Sequence, residues 1–139
     1  KKKDEKKEGN AGFEYKPYHD TTKASAGIDG VIFNCNLDIT SPLGYGYENP
    51  NVAVMKNGTT VMDFSQIKGT SPMQYTKKPY LSGCVSPENI QRIANAPASI
   101  VSKCGRGNVI WFADDLNYRS YWFGGTKIFM NAIYFGQLY

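Results

Sequence analysis

One histidine, His19, stands in 139 residues. A zinc site of the His-x-x-Glu type needs a second, distant histidine, and no Glu follows His19 at that spacing. Beside Asp20, His19 reads as a surface residue of a loop. The three cysteines, Cys35, Cys84 and Cys104, lie far apart and form no Cys-x-x-Cys pair. That argues against a zinc knuckle or a redox motif, and the odd number leaves at least one free thiol. No apolar run approaches the ~20 residues that cross a bilayer, so no membrane span is expected. The charged start has no apolar stretch of a signal peptide. Starting on KKKDEKKEG without Met, the chain is expected to be a fragment of a longer protein.

Charge of one sign is also scarce. Residues 1–8 hold five lysines and three acids, and that surplus of two is half of the net +4. The remainder is nearly balanced, which argues against a global basic field and against nucleic acid as a partner. The hydrophobic share of 41% and charged share of 20% are those of a globular domain. Residues 1–12 read as a disordered, lysine-rich lead-in, and residues 13–139 as a single domain. Residues 13–26 have no clear period and read as a loop or extended segment.

What is present is a series of short strands and two helices. Residues 31–39 alternate, with Val31, Phe33, Cys35 and Leu37 on one face and Ile32, Asn34, Asn36 and Asp38 on the other, as in a half-buried strand. Gly44-Tyr45-Gly46 lacks both the phosphate-binding spacing and a following helix, so it reads as an aromatic loop. Residues 51–64 read as a hairpin with its turn at Asn57-Gly58. Residues 65–79 read as a polar loop and 80–85 as a strand. Ser86-Pro87-Glu88 signals a helix start, and Ala96-Pro97 its end. Residues 98–104 and 109–113 form a second hairpin around Gly105–Asn108. Its return strand is so apolar that a central position, covered on both faces, is expected. A final helix over 126–134 presents Ile128, Phe129, Ala132 and Ile133 to a sheet. The expected class is α/β or α+β: a mixed sheet with antiparallel hairpins and a covering C-terminal helix.

Several motifs carry a family likeness. They are Gly105-Arg106-Gly-x-Val109-Ile110-x-Phe112-Ala113-Asp114, Asn117-Tyr118-Arg119-x-Tyr121-Trp122, and Lys127-x-Phe129-x-Asn131-Ala132-x-x-Phe135-Gly136. Upstream lies Leu37-Asp38-x-Thr40-x-Pro42-Leu43-Gly44-x-Gly46-Tyr47. Over about residues 28–136 the chain resembles the C-terminal domain of large bacterial zinc carboxypeptidases, departing from it at Ser41, where that family has His. The resemblance implies part of a class I glutamine amidotransferase-like, flavodoxin-like α/β domain. It implies a parent metallopeptidase with its zinc in another domain, so no cofactor in this chain, and a periplasmic or secreted setting. Active amidotransferases carry a cysteine on a Gly-x-Cys-x-Gly turn, and no such turn occurs here.

The candidate site residues are polar or aromatic. Asp114 and Asp115 end a strand, where α/β proteins build sites; the structural alternative pairs Asp114 with Arg119 or with backbone amides and makes Asp115 a turn cap. Arg119 either holds a ligand carboxylate or stacks on a ring. Tyr45, Tyr47, Tyr118, Tyr121 and Trp122 form either a platform for sugar or peptide or a surface that docks onto the rest of the parent. The leading expectation is a non-catalytic accessory module docked within its parent. The alternative is an independent carbohydrate- or cell-wall-peptide-binding domain. A third, an enzyme using Cys84 or Cys104 with His19, lacks any activating turn.

Overall fold

A computed structural model describes residues 26–67 and 70–139. The lysine-rich lead-in, nearly all of the 13–26 segment and His19 lie outside the described residues. The chain is mixed α/β. Five strands, all paired antiparallel, curl into a half-barrel that two helices accompany. The strands are β1 Val31–Leu37, β2 Asn51–Lys56, β3 Met73–Ser82, β4 Pro97–Cys104 and β5 Gly107–Phe112. Their order across the sheet is β2-β1-β3-β4-β5. Helix α1 spans Pro87–Ile93 and helix α2 spans Phe123–Phe135.

The alternation in β1 sets the inside of the half-barrel. Val31, Phe33, Cys35 and Leu37 are all buried, and Asn36 is exposed. Cys35 faces Val52 on one side and Tyr75 on the other, so β2 and β3 extend the same inner face. The core gathers there with Leu43, Val54, Met73, Ile93, Leu116 and Ile128. Burial of such side chains contributes about 1.5–3 kcal/mol each.

Four expectations are corrected. The hairpin at Asn57-Gly58 does not form: β2 pairs with β1, and residues 60–64 are not a strand. The turn is tied elsewhere. Gly30 N donates to Asn57 Oδ1 at 2.8 Å, and Gly58 N donates to Ile28 O at 2.6 Å. Of this pair only Gly58 takes positive φ (106°), whereas the tight hairpin turn needs it at both positions. Second, β3 begins at Met73, within the stretch read as a loop. It passes Pro79 because its register against β1 shifts between Phe33 and Cys35, and a bulge accommodates a residue without an N–H. Third, β5 is an edge strand rather than a central one. Its outer face, Val109 and Trp111, is exposed. Fourth, α2 begins three residues earlier than expected and takes in both glycines.

Helix α1 starts as the sequence indicates: Ser86 Oγ accepts from Asn89 N at 3.3 Å, and Pro87 opens the first turn. It ends at Ile93, with Asn95 at φ 62° turning the chain into β4. Helix α2 packs Ile128 into the core but leaves Phe129 and Ile133 largely uncovered. Its entry is fixed by close approach. A Cβ on Gly125 would lie 2.3 Å from Leu116 O, whereas one on Gly124 would meet nothing nearer than Ala53 O at 3.5 Å. Gly125→Ala is therefore expected to cost about 1–3 kcal/mol despite alanine's better helix propensity. Gly124→Ala should be neutral or slightly stabilising; urea unfolding of the two variants distinguishes them.

Candidate functional site

The inward period of β2 runs Val52, Val54, Lys56. It delivers a lysine into the core at the strand's last residue, opposite Val31. Tyr75 on β3 points inward beside it, edge-on to Phe33 with ring centroids 5.9 Å apart. Asp114, two residues past β5, completes the group. Lys56 Nζ donates to Tyr75 Oη at 3.2 Å, to Ala113 O at 3.1 Å and to Asp114 Oδ1 at 3.2 Å. Tyr75 Oη donates to Asp114 Oδ1 at 2.6 Å. The side chains of Lys56 and Asp114 are both fully buried.

All three ammonium protons have acceptors, and the phenol both donates and accepts. Within the cluster only Asp114 Oδ2 lacks a partner, and it too is sealed. Burial pushes the Asp114 carboxyl up, against the opposing pull of Lys56 and of the Tyr75 hydrogen bond. The 2.6 Å length is that of a bond to an ionised carboxylate. Burial and the Asp114 charge push the Tyr75 phenol far above its ordinary range, and they raise the Cys35 thiol likewise. A thiol so raised is a poor nucleophile. The cluster is suited to holding β2, β3 and the end of β5 together rather than to exchanging protons with a substrate.

Asp115 does not share this site. It is exposed, and its backbone N donates to Met55 O at 3.3 Å; no described residue bonds its carboxylate. Arg119 does not pair with Asp114, which corrects the expected bracket. It is exposed, sits at φ 50° and lies 5.1 Å over the Tyr118 ring. The buried lysine already occupies the carboxylate that Arg119 was expected to bind.

The aromatic platform divides in two. Tyr47, Tyr121 and Trp122 line one groove of about 480 Å³ with Phe123, Gly124 and the β2 residues Asn51, Val52 and Ala53. Trp122 Nε1 donates to Ala53 O at 3.3 Å, and Tyr47 Oη donates to Gly124 O at 3.1 Å. Lys127 Nζ lies 5.0 Å over the Tyr47 ring and donates to Gly46 O. Tyr45 turns away and meets Phe135 edge-on at 5.0 Å. Tyr118 stands behind Tyr121, 5.7 Å from it.

Sequence reasoning missed Lys56, Tyr75 and Asn131. Asn131 is buried and donates to Leu43 O and Tyr45 O, both at 2.9 Å, pinning the aromatic loop to α2. The signal for Lys56 was its place in the Val52-Val54 alternation. Nothing local marked Tyr75, because its strand was read as a loop. Among the described residues, no three His, Cys, Asp or Glu side chains gather as a metal set. No described helix is long and apolar enough to cross a membrane.

Two outcomes follow. Arg119→Ala should change stability by less than ~1 kcal/mol, the scale of an exposed cation–π contact, because alanine carries a Cβ at the same positive φ; a loss well above that in urea unfolding would restore the bracket. A carboxyl raised on folding binds its proton more tightly in the native state. The stability it contributes is therefore present below the ordinary carboxyl pKa, about 4, and is lost as pH rises through the folded value. Asp114→Asn should flatten that fall in stability above pH 4, measured by urea unfolding across pH; an unchanged slope contradicts the assignment. No protein-family model, curated protein or solved structure matches this chain.

Proposed function

We propose that this chain is a non-catalytic accessory module that docks onto another part of its parent protein through the Tyr47–Tyr121–Trp122 groove. The observation that carries this reading is the contrast between two places. The ionisable cluster is bonded within itself and sealed from solvent, so it offers no accessible group to a substrate. The groove beside the β2 edge is open and aromatic, with Tyr121 and Phe123 exposed around it. Amphipathic aromatics of this kind supply large contact area at low entropic cost.

The parent in this proposal is a zinc carboxypeptidase-like protein, periplasmic or secreted, and the module is the latter part of its amidotransferase-like domain. What supports it is the set of motifs at 37–47, 105–114, 117–122 and 127–136. In this reading zinc and peptide hydrolysis belong to the other domain, and the module orients it or presents substrate.

A second reading has one observation in its favour. Tyr121 and Trp122 flank a groove large enough for a sugar or short peptide, with the Arg119 guanidinium nearby in sequence. Such a groove suits a carbohydrate or cell-wall peptide that stacks on rings.

The test separates these readings. The full gene product is expressed with and without Tyr121→Ala and Phe123→Ala. Docking predicts that these variants expose the Trp122 region to proteolysis and loosen the module from the rest. The isolated chain should not bind muropeptides or oligosaccharides in calorimetry. Saturable muropeptide binding lost in Tyr121→Ala establishes the second reading. A gene product with no His-x-x-Glu and distant His overturns the peptidase parent.

A further inference from the structure

We propose that a second copy of this chain pairs with the first along β5, joining two half-barrels into one continuous antiparallel sheet across a twofold axis at Ile110. The hydrogen bonds of the edge point to this pairing. Ala113 N donates to Ala98 O at 3.0 Å. With the register Ile100↔Trp111 and Ser102↔Val109, this sets which β5 residues bond inward to β4. They are Gly107, Val109 and Trp111. By the alternation of an antiparallel ladder, Asn108, Ile110 and Phe112 turn their N–H and C=O groups out from the sheet. No described residue bonds those groups.

An open row of this kind is a template for another strand, and proteins usually guard it with lysine, proline or a bulge. β5 is Gly-Asn-Val-Ile-Trp-Phe, with no charge and no proline. Its register with β4 runs without a shift. Among the described residues the edge is therefore free of bulges, charge and proline, and largely apolar.

The occupant follows from self-complementarity. An antiparallel pair centred on Ile110 places Asn108 opposite the partner's Phe112, so every open residue meets an open residue. The outer face then sets Trp111 against the partner's Val109, an aromatic–β-branched pair of the favoured kind. Trp111 is 60% and Val109 39% exposed in the single chain. On the inner side, Phe129 and Ile133 of α2 border a cavity of about 410 Å³ with Ile110 and Phe112. They are 41% and 61% exposed. These four side chains offer on the order of 400 Å² of apolar surface per protomer, to which the paired strand backbone adds; a standard interface takes ~800 Å² per partner.

Charge supports the same register. Arg106 lies just before β5 and Asp114-Asp115 just after it. Antiparallel pairing brings Arg106 beside the partner's exposed Asp115, while Asp114 itself stays buried against Lys56. The twofold axis makes two such contacts between opposite charges, where a parallel arrangement would set like beside like.

This surface lies on the β5 edge, while the docking groove borders β2, so the proposal stands apart from the accessory-module reading. Sedimentation equilibrium of the full chain is the test. A concentration-dependent dimer is expected. Trp111→Lys and Val109→Lys, both at exposed positions, should give monomers with unchanged far-ultraviolet circular dichroism. Arg106→Glu should weaken dimerisation roughly tenfold, and adding Asp115→Arg should recover it. That recovery depends on charge and holds even if Trp111→Lys proves unstable. A monomer up to about 1 mM overturns the proposal. So does a dimer indifferent to Val109→Lys and to the charge exchange, since it would use another surface.

Discussion

A lysine ammonium and an aspartate carboxylate, both removed from water, meet at 3.2 Å where three strands converge. Their groups come from positions 56 and 114, at opposite edges of the sheet. Curling brings those edges close enough for Lys56 to reach both Ala113 O and Asp114. Removing two charges from water costs several kcal/mol per ion, which only good geometry offsets. Here Tyr75 adds the short bond to the carboxylate, and the carbonyl of Ala113 takes the remaining ammonium proton. The pair specifies closure: an aliphatic core would tolerate many ways of curling the sheet, whereas a buried charge tolerates only the one that delivers its partner.

That constraint explains what surrounds it. The segment after Asp114 must leave β5 and cross to the β2 side. There Asp115 N reaches Met55 O and Trp122 reaches Ala53 O. These contacts cover part of one sheet edge. The crossing also sets where α2 begins, against Leu116, and so which of its side chains enter the core. Ile128 does; Phe129 and Ile133 do not. The apolar surface thus remains on the β5 side, and the aromatic groove on the β2 side.

Legibility in the sequence followed the range of the interaction. Local signals held. The alternation in β1, the Ser86-Pro87 helix start and the turn at Gly105 all stand where their residues indicated. Signals that depend on distant residues misled. Asn57-Gly58 has the chemistry of a hairpin turn, but Gly30 and Ile28 claim its hydrogen bonds. β5 looked central because both of its faces are apolar; apolarity shows that a face seeks cover, not that the same chain supplies it. Asp114 was singled out as a polar strand end, and it is indeed central to the cluster. Arg119 was assigned to it by proximity in sequence, while the partner lay 58 residues away at Lys56. An inward lysine was visible in the β2 pattern only once the strand's pairing was known.

The most direct measurement is a double-mutant cycle on the buried pair, by urea unfolding of Lys56→Met, Asp114→Leu and the double variant. Each single change leaves one charge buried without its partner and is expected to cost about 3–5 kcal/mol. The double variant removes both charges and should cost far less than the two singles together, a coupling well above 1 kcal/mol. Additive costs, or single changes that each cost under 1 kcal/mol, would contradict the claim that this pair closes the fold.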